Sequence, residues 1–167
     1  MLPHPASTAP TNHADGTPWL ANASHTLMLV AAEGSPMAVG IGIDMVTISE
    51  IGSLLDERGL ASGTRLDPFI SRSFTTAELE LARAHANQAE FLAGRFAAKE
   101  AVFKSLAPHA ADNLEFRDIE TLARLDGSPY VNPSPTLARV LELAGAHEVL
   151  VSITNEGSYA MAMALAQ

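Results

Sequence analysis

No cysteine occurs in the chain, so disulfides and thiolate metal sites are excluded. Basic residues are scarce: ten Lys and Arg face 19 Asp and Glu, for a net charge of −9. That balance argues against a nucleic-acid partner, whose phosphates reward Lys and Arg. No apolar run approaches the ~18–20 residues of a membrane span. The phosphate-cradling loop G-x-x-x-x-G-K-S/T is absent. So is the basic n-region of a signal peptide. What is present is apolar material for a packed core: 47% of the 167 residues are hydrophobic and 17% charged. This suits one domain plus an appendage.

Residues 1–36 stand apart from the rest. Met1 to Pro18 is rich in Pro, Ala, Thr, Ser and His, with Asp15 its one charged residue. This is the composition of loop or disorder. His4, His13 and His25 are too scattered for a metal site, and Thr26–Ala32 reads as a short strand. Met37 precedes the first strong strand pattern. The expected organisation is a flexible, dispensable N-terminal extension over 1–36 and one domain over 37–167.

Within that domain the pattern predicts α+β: an antiparallel sheet packed on a long central helix. A strand is expected over Ala38–Ile43. A helix follows from about Thr47 to Glu57, with Ile48, Ile51, Leu54 and Leu55 inward and Arg58-Gly59 ending it. Pro68–Arg72 is a short helical piece. Thr75–Glu78 is a capping box that starts a helix reaching about Ala86. Asn87–Glu90 has the same form and starts the central helix, which extends to about Leu106 with Pro108 beyond it. Phe116–Leu125 reads as a strand, and Asp126-Gly127-Ser128-Pro129 turns it into Tyr130-Val131. Ser134-Pro135 has the form of N-cap and N1 of a helix to Ala144, with Gly145 at C′. Two strands close the chain, Glu148–Thr154 and Tyr159–Leu165. Met161, Met163 and Leu165 alternate with alanines, and this methionine stripe is expected to face the core.

The chemistry concentrates in two stretches. On the central helix, Phe96, Lys99/Glu100 and Phe103/Lys104 recur at helical spacing and share one face. Spacing alone makes Glu100–Lys104 an i,i+4 pair on a solvated face, worth about 0.3–0.5 kcal/mol. In the first strand, Gly40-Ile41-Gly42-Ile43-Asp44 ends on an acid, which reads locally as an N-cap for the following helix.

Four motifs in order carry more than either stretch. They are G-I-G-I-D-M-V from Gly40, F-x-x-R-x-F-T-x-x-E-L from Phe69 to Leu79, L-A-G-R-F-A-A-K-E-A-x-x-K from Leu92 to Lys104, and D-I-E from Asp118 to Glu120. Together they resemble the 4′-phosphopantetheinyl transferases of the short holo-acyl-carrier-protein synthase type. They also resemble the similar domain at the end of fungal-type fatty acid synthases. The resemblance runs from about Val39 to Ala166.

The resemblance implies transfer of 4′-phosphopantetheine from coenzyme A to a serine of an acyl carrier protein or carrier domain, releasing 3′,5′-ADP. It implies Mg²⁺ held by Asp44 and Glu100, two hard carboxylates being enough when phosphate oxygens and water complete the shell. Glu100 is then the candidate base, and Lys104, one turn on, reaches a phosphate oxygen or the leaving group. Arg95, Lys99, Lys104, Pro129, Thr154 and Asn155 are the expected coenzyme-binding residues. The resemblance further implies a cytoplasmic homotrimer with sites between subunits, and no membrane partner. Two departures stand out. Asn155 takes the place of the family histidine in S-I-S-H or S-I-T-H, and Asn does not titrate near neutral pH. Glu50, Asp56 and Glu57 occupy a helix that is arginine-rich in many bacterial synthases, which favours a carrier domain of a type I synthase over a free acidic carrier. The alternative reading is a coenzyme A- or carrier-binding module that has lost turnover.

Overall fold

A computed structural model of the chain describes residues 37–55, 59–60, 65–107 and 114–167. The expected N-terminal extension with its Thr26–Ala32 strand and three histidines, the acids Asp56 and Glu57, Arg58 and Pro108 lie outside the described residues; the first helix itself stops at Gly52, short of the expected Glu57.

The sheet begins with β1 (Gly40–Thr47), longer than the expected strand, so that Asp44 sits inside it. Helix α1 (Ile48–Gly52) follows at once, and its N-cap position is Thr47, not Asp44. Helix α2 (Pro68–Ser73) starts where the Asp67 side chain accepts a hydrogen bond from the Phe69 amide. Helix α3 (Thr76–Arg83) has the Thr75–Glu78 capping box the sequence calls for. Helix α4 (Gln88–Ser105) is the long central helix, and the Asn87 side chain caps it through the Glu90 amide. Phe116–Asp118 form a 3-10 turn where a strand was expected, and β2 covers Ile119–Ala123. Next come β3 (Pro129–Pro133), α5 (Pro135–Ala144), β4 (Val149–Glu156) and β5 (Tyr159–Ala166). Ser134 caps α5, and Gly145 ends it at φ 72°, a left-handed conformation that costs glycine little.

Among the described residues the strands form two antiparallel sheets. One has the order β1-β5-β4, and the other is the β2-β3 hairpin. The three-stranded sheet lies along α4, and its central strand shows the helix only alanines: Ala160, Ala162, Ala164 and Ala166 of β5 are buried there. A Cβ placed on Gly42 would stand 2.0 Å from the Ala101 carbonyl oxygen, and one on Gly40 would stand 1.9 Å from that of Ser105. Helix and strand therefore touch backbone to backbone, and only glycine fits at those two positions.

This closeness overturns one expectation. The alternation along β5 is as predicted, but its faces are exchanged. Met161 and Met163 point away from α4 and are 43% and 44% exposed. They face out beside their partners on β1, Met45 opposite Met161 and Ile43 opposite Met163. The space under the helix has no room for a methionine, so the alanines take it.

Candidate active site

Asp44 faces α4 because it is in register with Ala162 on the inner side of the sheet. Lys104, one residue from the end of α4, donates a hydrogen bond of 2.6 Å to Asp44 Oδ1. Its Nζ also lies 3.4 Å from the Ile43 carbonyl oxygen. The pair is only partly shielded, with the lysine side chain half exposed. Hydrogen bonding to Asp44 raises the Lys104 ammonium above its ordinary range.

Glu100 stands one turn before Lys104 and is half-buried. Burial raises its carboxyl above the ordinary value of 4.5; the nearby charge of Asp44 pushes the same way and Lys104 opposes. Two carboxylates and one ammonium thus share a small region with surplus negative charge. The donor set is hard oxygen, which suits a dication that keeps open positions for phosphate oxygens and water. Among the described residues no group of three or more His, Cys, Asp or Glu assembles. Glu100 also lines a cavity of about 740 Å³ with Phe69, Arg72, Phe103, Phe116 and Arg117.

A second cavity, of about 470 Å³, brings together Arg95, Pro129 and Asn155, with Phe91 and His85 at its edge. Arg95 is buried, its guanidinium carbon 4.6 Å from the centroid of the Phe91 ring. Its Nε has no hydrogen-bond partner among the described residues. Burial lowers its pKa and the charge of Glu78 opposes that shift. Asn155 donates a hydrogen bond of 3.1 Å to Glu90 Oε1. The expected residues therefore form two groups: Asp44, Glu100 and Lys104 line up where β1 meets the end of α4, while Arg95, Pro129 and Asn155 gather around another cavity.

Two expected residues join neither group. Thr154 is exposed and pairs with Met161, which puts it on the outer side of the sheet. Lys99 corrects the expectation of a coenzyme contact: it is fully buried and bonded to Glu78 at 2.8 Å. Its ammonium also donates to the carbonyl oxygens of Ile119, at 2.7 Å, and Phe116, at 2.9 Å. A side chain closed off in this way cannot reach a coenzyme. The sequence signal missed here was Glu78. Its side chain was assigned only a local capping role, yet its second oxygen is turned inward.

Comparison with known proteins identifies the family. The family model of the 4′-phosphopantetheinyl transferase superfamily matches residues 40–164. The chain is 38% identical over 130 residues to the holo-[acyl-carrier-protein] synthase of Desulforudis audaxviator, covering 78% of this chain and 93% of that protein. The crystal structure of the synthase from Neisseria meningitidis superimposes with a TM-score of 0.66 at 30% identity, over 78% of this chain and 99% of that one. That of Bacillus anthracis, in complex with CoA (3′,5′-ADP), gives 0.59 at 30% identity, over 78% and 97%. The chain belongs to the 4′-phosphopantetheinyl transferase superfamily.

Proposed function

We propose that the chain is a holo-[acyl-carrier-protein] synthase, transferring 4′-phosphopantetheine from coenzyme A to a serine of an acyl carrier protein. The observation that carries this reading is the meeting of Asp44, Glu100 and Lys104 where β1 crosses the end of α4, in a chain of this family. Mg²⁺ fits the two carboxylates, and when bound it supplies charge stabilisation to the phosphate oxygens in the transition state. Asp44 and Glu100 would hold it.

The carrier serine must lose a proton as its oxygen attacks the phosphorus. Glu100, whose pKa is raised by burial, is suited to accept that proton. Lys104, freed from Asp44, brings an ammonium to the phosphate oxygens or the leaving 3′,5′-ADP. Arg95, Pro129 and Asn155 take the coenzyme in the second cavity, and Thr154 acts from the outer face of the sheet.

Residues 37–167 carry this activity and residues 1–36 form an extension not needed for it. The two groups of site residues are completed between copies of the chain in a homotrimer. The outer sheet face supports this reading: Val39, Ile41, Ile43, Met45, Met161 and Met163 all stand exposed there. A contiguous apolar face of that kind marks an interaction surface. The carrier is a domain of a type I synthase and the setting is cytoplasmic. No helix among the described residues is long and apolar enough to cross a membrane.

Intact-mass analysis tests the activity. With coenzyme A and Mg²⁺, an apo carrier gains the phosphopantetheine arm, about 340 Da. A type I carrier domain gains it faster than a free acidic carrier. No gain on either carrier would sink the reading.

A further inference from the structure

The chain has two lysines, both on α4, and they do opposite things. Lys104 is half exposed at the carboxylate site; Lys99 is wholly enclosed. Burying a charged pair is costly, and apolar side chains of the same volume often hold a core as well or better. A buried ammonium therefore calls for a use that an apolar group cannot serve.

Its contacts supply one. Lys99 has three N–H donors and three acceptors: Glu78 Oε1 at 2.8 Å, the Ile119 oxygen at 2.7 Å and the Phe116 oxygen at 2.9 Å. Glu78 uses both of its oxygens. Oε1 also accepts from the Thr121 amide at 2.9 Å, and Oε2 accepts from the Thr75 amide at 2.8 Å. One charged pair thus ties the start of α3, the middle of α4, the 3-10 turn and strand β2 together. The two carbonyls bracket Arg117, and Phe116 and Arg117 line the cavity that Glu100 faces. Lys99 precedes Glu100 in the same helical turn.

We propose that Lys99, held by Glu78, is a positioning residue. It fixes the Phe116–Ile119 turn against the helical turn that carries Glu100, and so sets the wall of the reaction cavity. The inference rests on reading Glu100 as the catalytic carboxylate. Directional bonds from one ammonium to two carbonyls give that wall a register that apolar packing alone would leave loose.

The test compares Lys99→Met, the charge-free pair Glu78→Gln/Lys99→Met and a control, Val140→Ala. The control trims a buried core residue on α5 whose side chain makes none of these hydrogen bonds. KM for coenzyme A and for the carrier is measured on each protein at a temperature where it is fully folded. In the Lys99 variants one KM rises about tenfold or more, as expected when a binding wall shifts. Amide exchange of the 116–119 turn also accelerates. Val140→Ala lowers stability and leaves both KM values alone. The double variant buries no charge, so it is read even where Lys99→Met alone fails to fold. Both KM values within about twofold of the parent in the double variant would overturn the proposal. Glu100→Gln is run in parallel: undiminished turnover there would instead remove the catalytic reading of Glu100.

Discussion

The ammonium of Lys104 lies 2.6 Å from Oδ1 of Asp44 and so joins the end of α4 to the middle of β1. Its lysine is half exposed, and pairs open to solvent in this way contribute less than about 1 kcal/mol to folding. Stability and chemistry therefore separate at this residue. Lys104→Met lowers turnover by at least about a hundredfold, the scale set by losing one charged group from a phosphoryl-transfer site. Its melting temperature moves by no more than about 4 °C. Steady-state kinetics beside a thermal melt checks both halves.

Glu100 gives a pH prediction whose sign is fixed by its environment. Its folded pKa is raised above 4.5, chiefly by burial and then by Asp44. The native state therefore holds this proton more tightly than the unfolded chain does. Stability falls as pH rises from the ordinary carboxylate value through the raised folded value. Glu100→Gln removes that loss. Its melting temperature exceeds the parent's at neutral pH, and the difference closes as pH falls below about 4.5. Added Mg²⁺ raises the melting temperature of the parent and not that of the variant. A pH series of melts, with and without the cation, reads both.

Gly42 separates the strand of Asp44 from the helix of Glu100 by the width of two backbones. A methyl group there would meet the Ala101 oxygen at 2.0 Å and the Ser105 nitrogen at 2.7 Å. Neither is the end of a flexible side chain, so helix and strand must move apart. Gly42→Ala costs about 3 kcal/mol or more. The folded fraction that remains turns over slowly, because Asp44 has been drawn away from Lys104. Denaturant unfolding and activity per folded molecule measure the two effects.

The outer face of the sheet predicts an assembly effect. Ile43 and Met163 are cross-strand partners, 55% and 44% exposed in the single chain. Met163→Glu leaves the isolated fold intact, since the new carboxylate meets solvent. It prevents copies from associating through this face and abolishes turnover. Sedimentation shows a monomer with an unchanged circular dichroism spectrum. An assembled, active variant would contradict the homotrimer reading.

Much of this was legible in the sequence, and the gaps have physical causes. Local signals worked where the backbone answers to its own neighbours. The Thr75–Glu78 box, the Asn87 and Ser134 caps and the Gly145 terminator all lie where their chemistry put them. Asp44, Glu100 and Lys104 were singled out through ordered motifs, and the fold brings the three together. The methionine stripe was misread because period two reveals which residues share a face and not which face is inward. That choice was made by Gly40 and Gly42, on another strand, through contact with α4. Lys99 was misread for a related reason. A lysine next to a catalytic acid suggests a phosphate contact, and its partner Glu78 lies 21 positions earlier in the chain. Nothing in local spacing points across that distance.

The nesting of β1 against α4 also bears on how the protein responds to heat. In many sites the reactive groups are held by interlocked side chains, which loosen over a range of temperature before the chain unfolds. Here the spacing of Asp44 from α4 is set where glycine backbone meets helix backbone, with alanines flanking it. Backbones in contact have few intermediate arrangements to explore. The active geometry and the fold are therefore lost together, and turnover climbs with temperature until the unfolding transition itself.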